Sequence, residues 1–600
     1  MTIRSKTPNR ETILCLLVGV VLIVASFSHL HLSLLSSVRK PPHWKRVSDL
    51  LSLALLAYGT SFLGLGLLSY VLSLKGSSLI SKLVNHSKQA VMELRQAVSS
   101  SIRTCLASRQ DVAWLFAAFA VGLVIRAYFL AEPMRHGESY TFLNFVNQGP
   151  FFLFYYPLPN NHVLHTLFVK FSTLIWGAHP VSIRFPAFLF GIASIPLIFC
   201  LCRKVMHQRC GILAATAMAV VPCMVGPSVN ARGYSLLIFL TLALAFVGMH
   251  VVERPSLLGW AVVSLIASLG MLTVPTMVFA IAGVYLWLAC LLFLNRKTLA
   301  AILREFVIPC AIMTFVFTFI LYVPCIVASG GMKSIVANYT IRSLHWKVFF
   351  PQVYPHVRAV FPYYFDKIPR PLSFLGMLFL VAGMFGALRK RDWPLLLLLP
   401  SMLLGGAAVL AAKHSIPPER IWVYLIPFGF VLADVGLTYL SGRLPRGLQS
   451  LLPVLIVALA SLYAVSMMSR GTTGKNAVRT FPEAPLMVKY LKPLLSSNDI
   501  IHLKRPADET MRFYFWYYGV PIEKEAAVNM AVGKEFFVVK KSRYSIDDLT
   551  ERPVLKLLDL DDAALYQLLR PEEVRAGNEN NRPRKGIKGI RIGESSEPSH

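Results

Sequence analysis

Carboxylates are scarce in this sequence: 30 Asp and Glu stand against 60 Lys and Arg, and between Glu132 and Glu253 only Glu138 occurs. Charged residues of both signs make up 15% of the chain, where soluble globular domains carry roughly a quarter. That shortage excludes an ordinary soluble fold. The nine cysteines supply no CxxC pair, none follows Cys325, and most lie in or beside apolar runs. They exclude a disulfide framework and a cysteine-based metal or redox centre, and read as small buried hydrophobes. The formal charge of +30 suggests nucleic acid at first sight. The Lys and Arg mostly flank apolar runs, however, which suits membrane topology and lipid headgroups, so no nucleic-acid partner is expected.

What the chain does have is apolar length. Hydrophobic residues make up 55% of it, and runs of about 18 or more, enough to cross a bilayer as a helix, recur along most of the sequence. Two precede residue 75 (12–35 and 50–74), and eleven follow at 112–131, 181–201, 210–226, 233–252, 256–273, 275–294, 306–329, 371–388, 394–412, 421–440 and 448–468. The expected fold is a polytopic α-helical membrane protein of about 13 transmembrane helices. Between 75 and 110, Val91, Leu94 and Val98 recur at helical spacing in a basic stretch, which predicts a helix lying along the membrane.

Basic loops set the orientation. Arg203-Lys204, Arg296-Lys297, Arg389-Lys390-Arg391, Arg443 and Arg446 fall on one face if the spans alternate, and that face is read as cytoplasmic. The loops 132–180 and 330–370 and the C-terminal part then lie outside; Arg39, Lys40, Lys45 and Arg46 run against this pattern. The expected organisation is a two-helix extension with a basic segment (1–110), a transmembrane core (111–470), a small extracytoplasmic α/β domain (471–576) and a disordered tail (577–600). The α/β reading rests on strand-like Asp499–Leu503 and Phe536–Val539 beside helical runs.

The first long polar interruption, Met134 to His165, is where chemistry at the membrane surface is expected. Glu138, Phe142, Phe145 and Val146 share one face of a short helix, and Asn161, His162 and His165 open another whose apolar side carries Leu164, Leu167, Phe168 and Phe171. Glu138 in such a loop suits a general base toward a hydroxyl or amine, beside His136, His162 and His165. The alternative is a solvated loop acid. His162 and His165 with Glu138 also have the spacing to hold a divalent metal, although histidines at an interface more often hydrogen-bond headgroups or substrate, and no cofactor is firmly implied.

Arg135-His-Gly-Glu-Ser-Tyr-Thr-Phe, Pro159-Asn-Asn-His-Val-Leu-His, Val181-Ser-Ile-Arg-Phe-Pro, Asn230-Ala-Arg-Gly-Tyr-Ser and Pro417-Pro-Glu-Arg-Ile-Trp-Val-Tyr form an ordered set. Together they resemble the GT-C glycosyltransferases, and most of all the group of protein O-mannosyltransferases and aminoarabinose transferases, over about 112–520. The resemblance implies a GT-C-like core and inverting transfer of a sugar from a polyprenyl phosphate to a glycan, lipid or protein acceptor on the outer face of a cell membrane, the bacterial inner membrane first. It also implies an Asp-Glu pair in the first loop; here Gly137 stands before Glu138, so either Glu138 has the role or the protein is a catalytically impaired envelope scaffold. Arg184, Arg232 and Arg420 are the expected phosphate cations, because a guanidinium presents parallel donors and keeps its charge. The alternative for each is snorkelling to headgroups. Tyr234 and Tyr424 are further candidates for sugar or phosphate contacts, and the aromatics of loop 330–370 fit either a sugar platform or an interface belt. A lipid or solute transporter is the other class considered; it predicts ionisable groups inside spans, of which Asp434 is the clearest.

Overall fold

The computed structural model describes residues 10–27, parts of 52–63, 79–156, 160–206, 211–332, 343–470, 480–496, 499–520 and 533–569. The chain forms two compact units: Met1–Ala131 with Thr141–Thr472, and Glu132–Tyr140 with Thr473–His600.

The larger unit is helical: α1 (Arg10–Phe27), α2 (Leu79–Cys105), α3 (Arg109–Leu130), α4 (Val163–Trp176), α5 (Pro180–Met206), α6 (Ile212–Val220), α7 (Pro222–Ser228), α8 (Tyr234–Glu253), α9 (Leu257–Thr273), α10 (Met277–Leu294), α11 (Leu299–Ala328), α12 (Trp346–Phe365), α13 (Arg370–Lys390), α14 (Trp393–Lys413), α15 (Ile426–Ser441, entered through a 3-10 segment Glu419–Leu425) and α16 (Arg446–Arg470). Starts are set by local chemistry: the Ser108 and Ser256 hydroxyls accept from the Asp111 and Gly259 amides, and Asp392 does the same for Leu395.

Among the described residues nine helices are long and apolar enough to cross a membrane, so this is a multi-pass membrane protein. The difference from the 13 expected spans has three sources. Of the first two spans only 12–27, within α1, and scattered residues of 52–63 are described, 256–273 forms a 17-residue helix, and 210–226 is broken in two. Two helix pairs approach closely through glycines. A Cβ at Gly436 would collide with the Phe379 carbonyl, and one at Gly405 with the Gly283 backbone, which fixes α15 against α13 and α14 against α10. The amphipathic helix expected near 75–110 is α2, and Leu94 and Val98 pack on the core as their spacing required.

The break between α6 and α7 explains two buried charges. Pro222 has no amide hydrogen, so the Met218 carbonyl loses its helical partner. Arg126, fully buried on α3, donates to Met218 O at 2.8 Å, Ala219 O at 2.6 Å and Gly122 O at 3.1 Å. At the other end of α6, Asp434 on α15 accepts from the Gly211 amide at 2.8 Å and the Ala214 amide at 2.9 Å. A carboxylate at the N-terminus and a guanidinium at the C-terminus match the orphan groups and the dipole of this one short helix. Asp434 therefore acts as a helix cap, which removes the main sequence argument for a permeation path. Arg126→Met should strand two buried carbonyls, each worth roughly 1–3 kcal/mol, and lower the thermal midpoint in detergent well below that of an exposed control such as Arg296→Met; equal midpoints would refute the capping role.

The smaller unit has a four-stranded sheet, β1 (Ile500–Leu503), β2 (Glu535–Lys540), β3 (Val554–Asp559) and β4 (Ala563–Leu568), in the order β1-β2-β4-β3. β1 and β2 are parallel, and their crossover contains helix α18 (Ala507–Tyr517); the other pairs are antiparallel. A further helix, α17 (Ala484–Leu491), precedes the sheet. The expected α/β character and both expected strands are present. The polar stretch 132–140, read from sequence as part of the transmembrane core's first loop, belongs to this unit instead. Met134 N donates to Tyr514 Oη at 2.9 Å, and His136 Nε2 lies 3.1 Å from Asp508 Oδ1, both partners being on α18.

Candidate functional site

In the smaller unit Glu138 is fully buried in the helix His136–Thr141, which passes directly into a π-helical turn, Phe142–Val146. The Arg135 amide donates to Glu138 Oε1 at 2.8 Å, so the carboxylate reaches back to the residue before its own helix, as the Glu of a capping box does. Arg135 pairs with Glu132 at 2.9 Å. His136 is committed to Asp508: burial opposes ionisation there, but the hydrogen bond and charge of His136, the Glu509 amide and Arg505 hold the carboxyl below its usual value.

In the larger unit the second polar motif forms a cluster. His162 stands at the N-cap position of α4 without a side-chain bond to that helix, and is 2% exposed. Its Nδ1 accepts from the Gly233 amide at 2.7 Å, its Nε2 lies 3.3 Å from Arg232 Nη2, and its ring meets Tyr234 edge-on at 5.1 Å. Tyr234 Oη accepts from Arg420 Nε at 2.7 Å. Position 233 must be glycine for this approach, since a Cβ there would lie 2.7 Å from Thr273 and 3.1 Å from the imidazole. His162, Arg232, Tyr234 and Arg420 thus come together from three separate segments. His165, one turn into α4 and fully buried, lies within electrostatic reach of His162.

The tautomer of His162 follows from its partners. Nδ1 accepts a backbone hydrogen, so the ring hydrogen of the neutral imidazole sits on Nε2. Burial first, then Arg232, His165 and Arg420, hold this histidine well below its ordinary range, so it stays neutral. Two donors, Nε2–H and the Arg232 guanidinium, therefore face each other at 3.3 Å. An anion placed between them could accept from both. The unfolded chain takes up the His162 proton near pH 6.5 and the folded chain does not, so acidification through that range destabilises the fold by up to about 1.4 kcal/mol per pH unit. His162→Gln should flatten the fall in thermal midpoint between pH 7.5 and 5.5; an unchanged slope would contradict this assignment.

The other sequence candidates have different surroundings. Asn161 is fully buried and clamps its loop: Nδ2 donates to Leu153 O at 2.9 Å and Tyr155 O at 3.0 Å, while Oδ1 accepts from Thr166 at 2.8 Å. Arg184, also fully buried, donates to Leu130 O at 2.9 Å at the end of α3. Tyr424 is not brought to the cluster; it sits in the helical core with its hydroxyl 3.4 Å from Met402 O. Its separation from Arg420 has a geometric cause. The segment is 3-10 helical, so four residues turn the side chain about 120° rather than the roughly 40° of an α-helix.

Helix α4 is amphipathic, as its spacing predicts. It buries Val163, His165, Thr166, Val169 and Ser172 and exposes Phe168, Phe171, Leu174 and Trp176. The surrounding solvent of a membrane protein is itself apolar, so the polar stripe turns inward. One residue was missed by the sequence reading: Tyr156, 3% exposed, whose amide donates to Ser329 at 2.9 Å and whose buried hydroxyl has no partner among the described residues. It lies within electrostatic reach of Arg232 and Tyr234. Its only signal was a Tyr-Tyr-Pro sequence just before the His162 motif. Among the described residues no three His, Cys, Asp or Glu side chains group as metal ligands, and His162 in this tautomer offers no lone pair to a metal. Of the loop 330–370 aromatics, Tyr339 lies outside the described residues, Tyr364 is buried with its hydroxyl on Glu419 O at 2.7 Å, and Trp346, Tyr354 and Tyr363 are exposed along α12.

Residues 161–327 match the family model described as dolichyl-phosphate-mannose-protein mannosyltransferase. The matched segment contains the His162, Arg184 and Arg232 motifs, and the resemblance to the GT-C glycosyltransferases is borne out there. No curated protein matches the sequence. Among solved structures, ArnT from Cupriavidus metallidurans in the apo state is similar at 14% identity and TM-score 0.48, covering 76% of this chain and 98% of that one. Its undecaprenyl phosphate-bound form matches at 13% identity and TM-score 0.45 over 76% and 98% of the two chains. The oligosaccharyltransferase of Archaeoglobus fulgidus, in a complex with Zn and sulfate, matches at 12% identity and TM-score 0.41 over 66% and 61%.

Proposed function

We propose that the protein is an inverting membrane glycosyltransferase that moves a sugar from a polyprenyl-phosphate-linked donor to an acceptor at the outer face of a cell membrane, with its C-terminal unit extracytoplasmic. One observation carries the reading: His162 and Arg232 lie 3.3 Å apart, and Arg420 is held by Tyr234, whose ring meets that of His162, an arrangement that suits an anion. The matched family is named for a polyprenyl-phosphate sugar donor, whose phosphate is an anion of the required kind.

In the proposed reaction an acceptor hydroxyl oxygen attacks the anomeric carbon. The bond from that carbon to the phosphate oxygen breaks, and polyprenyl phosphate leaves with the electron pair. The proposed general base, Glu138, takes the hydroxyl proton. Arg232, His162 and Arg420 hold the charge that gathers on the leaving phosphate, and fixed donors in a low-dielectric site are most effective at that moment. Tyr234 positions Arg420, and Asn161 and Gly233 position His162.

The test is a mass-spectrometric comparison of surface glycans from cells with and without the gene. Loss of one sugar from one class of acceptor supports transfer. Identical glycans together with altered solute uptake would overturn it in favour of transport.

A further inference from the structure

The end of the bundle opposite Arg184 holds a cavity lined with basic residues. Arg184 and Arg203 mark the two ends of α5, and the helix between them rises roughly 28 Å, close to the thickness of a bilayer's hydrocarbon core. At the Arg203 end, a cavity of about 950 Å³ opens between the start of α3, the ends of α5, α13 and α15, and the start of α16. Arg203, Arg389, Lys390, Arg443 and Arg446 line it, against Asp111 and Asp434.

The acids do not balance these cations. Asp111 pairs with Arg203 at 2.6 Å, and both oxygens of Asp434 are taken by the α6 amides. Among the described residues no carboxylate lies within ion-pair distance of Arg389, Lys390, Arg443 or Arg446. Arg443 is fixed in place: it donates to Tyr439 Oη at 2.6 Å, and its guanidinium lies 4.4 Å from the centre of that ring. A further donor on the wall, the Trp114 indole N–H, is buried and has no acceptor among the described residues. The cavity is thus rich in cations and short of carboxylates to balance them. One part of its wall, Leu452, Pro453 and Ile456, belongs to α16, whose neighbouring Leu455 and Leu459 are exposed on the apolar outer surface of the bundle.

We propose that this cavity binds the phosphate headgroup of an anionic phospholipid from the leaflet opposite the donor site. A phosphate ester satisfies the unmatched cations and the Trp114 donor together, and basic pockets between transmembrane helices take such headgroups. The apolar wall continuous with the outer surface selects a lipid over a soluble phosphate, because an acyl chain can follow it into the bilayer. By the positive-inside rule this is the cytoplasmic leaflet. The site uses none of the residues of the proposed reaction, so it stands or falls separately from that reading.

The experiment is native mass spectrometry of the delipidated full chain with added cardiolipin, phosphatidylglycerol, phosphatidylcholine or inorganic pyrophosphate. Wild type should retain cardiolipin at least tenfold better than phosphatidylcholine. The Arg389→Gln/Arg443→Gln/Arg446→Gln variant, whose changes are all at exposed positions, should keep its lipid-free thermal midpoint and lose that preference. Trp114→Phe should weaken retention severalfold with folding intact. Equal cardiolipin retention by wild type and the triple variant would overturn the site. Displacement of the lipid by micromolar pyrophosphate would overturn the lipid as its ligand and leave a soluble phosphate in its place.

Discussion

Glu138→Gln is expected to lower sugar transfer by about 10³-fold while leaving expression, donor binding and thermal stability near wild type, since a positioned general base contributes roughly 10² to 10⁴. The fold should survive because the contact it makes at its own helix is one glutamine can keep. The Gln carbonyl oxygen accepts the Arg135 amide as Oε1 does now, so the helix His136–Thr141 remains capped. What glutamine lacks is the ability to take a proton. The split between binding and turnover is the informative readout: a donor Kd unchanged with turnover lost identifies a chemical role, whereas loss of both identifies a structural one. Full activity would remove Glu138 from the mechanism. No activity in the wild type either would favour the impaired-scaffold reading that Gly137 raises.

Arg420→Met should reduce kcat/KM for the donor by roughly 10² to 10³, the range for removing one donor from a preorganised anion site. Arg420 is half-buried, its Nε is used by Tyr234, and among the described residues no carboxylate neutralises it. Its terminal nitrogens are what a phosphate would engage. Arg420→Lys keeps the charge but loses the planar fork and the Nε bond to Tyr234, so it should recover only part of the activity. Tyr234→Phe tests the positioning role: the arginine remains while its anchor goes, and KM should rise more than kcat falls. Equal kinetics for Arg420→Met and wild type would exclude the arginine from donor binding. All three substitutions lie in the larger unit, and none removes a hydrogen bond that closes a helix end.

Much of the architecture was legible because apolar length and flanking charge are direct physical requirements of a bilayer. The cluster was legible in part for the same reason: polar residues at the heads of apolar spans, such as Arg232 and Arg420, have few reasons to be there. Other features were hidden by facts that a linear sequence does not carry. Arg126 sat inside an apolar span and was passed over, yet its role depends on a break at Pro222 almost a hundred residues later. The two faces of α4 were legible from spacing, and the structure buries His165 with Thr166 and exposes Phe168 with Phe171. Tyr424, a candidate for sugar or phosphate contacts, points away from Arg420 because the segment is 3-10 helical, which the sequence does not display. The stretch around Glu138 was given to the transmembrane core because it follows α3 in sequence, whereas its bonds to Tyr514 and Asp508 place it in the unit built mainly from residues after 473. Each miss concerns a partner distant in sequence or a local geometry set by such a partner.

The central claim is that a sugar leaves a polyprenyl phosphate in this protein's active site. The most direct measurement follows reconstituted wild type in proteoliposomes containing a panel of polyprenyl-phosphate-linked sugars, with acceptor-bearing membranes from cells lacking the gene. Free polyprenyl phosphate and glycosylated acceptor are quantified together. The account predicts that both appear in equal amounts for one donor of the panel and that neither appears with Glu138→Gln. Donor that stays intact across the whole panel while lipid or solute crosses the bilayer would contradict it.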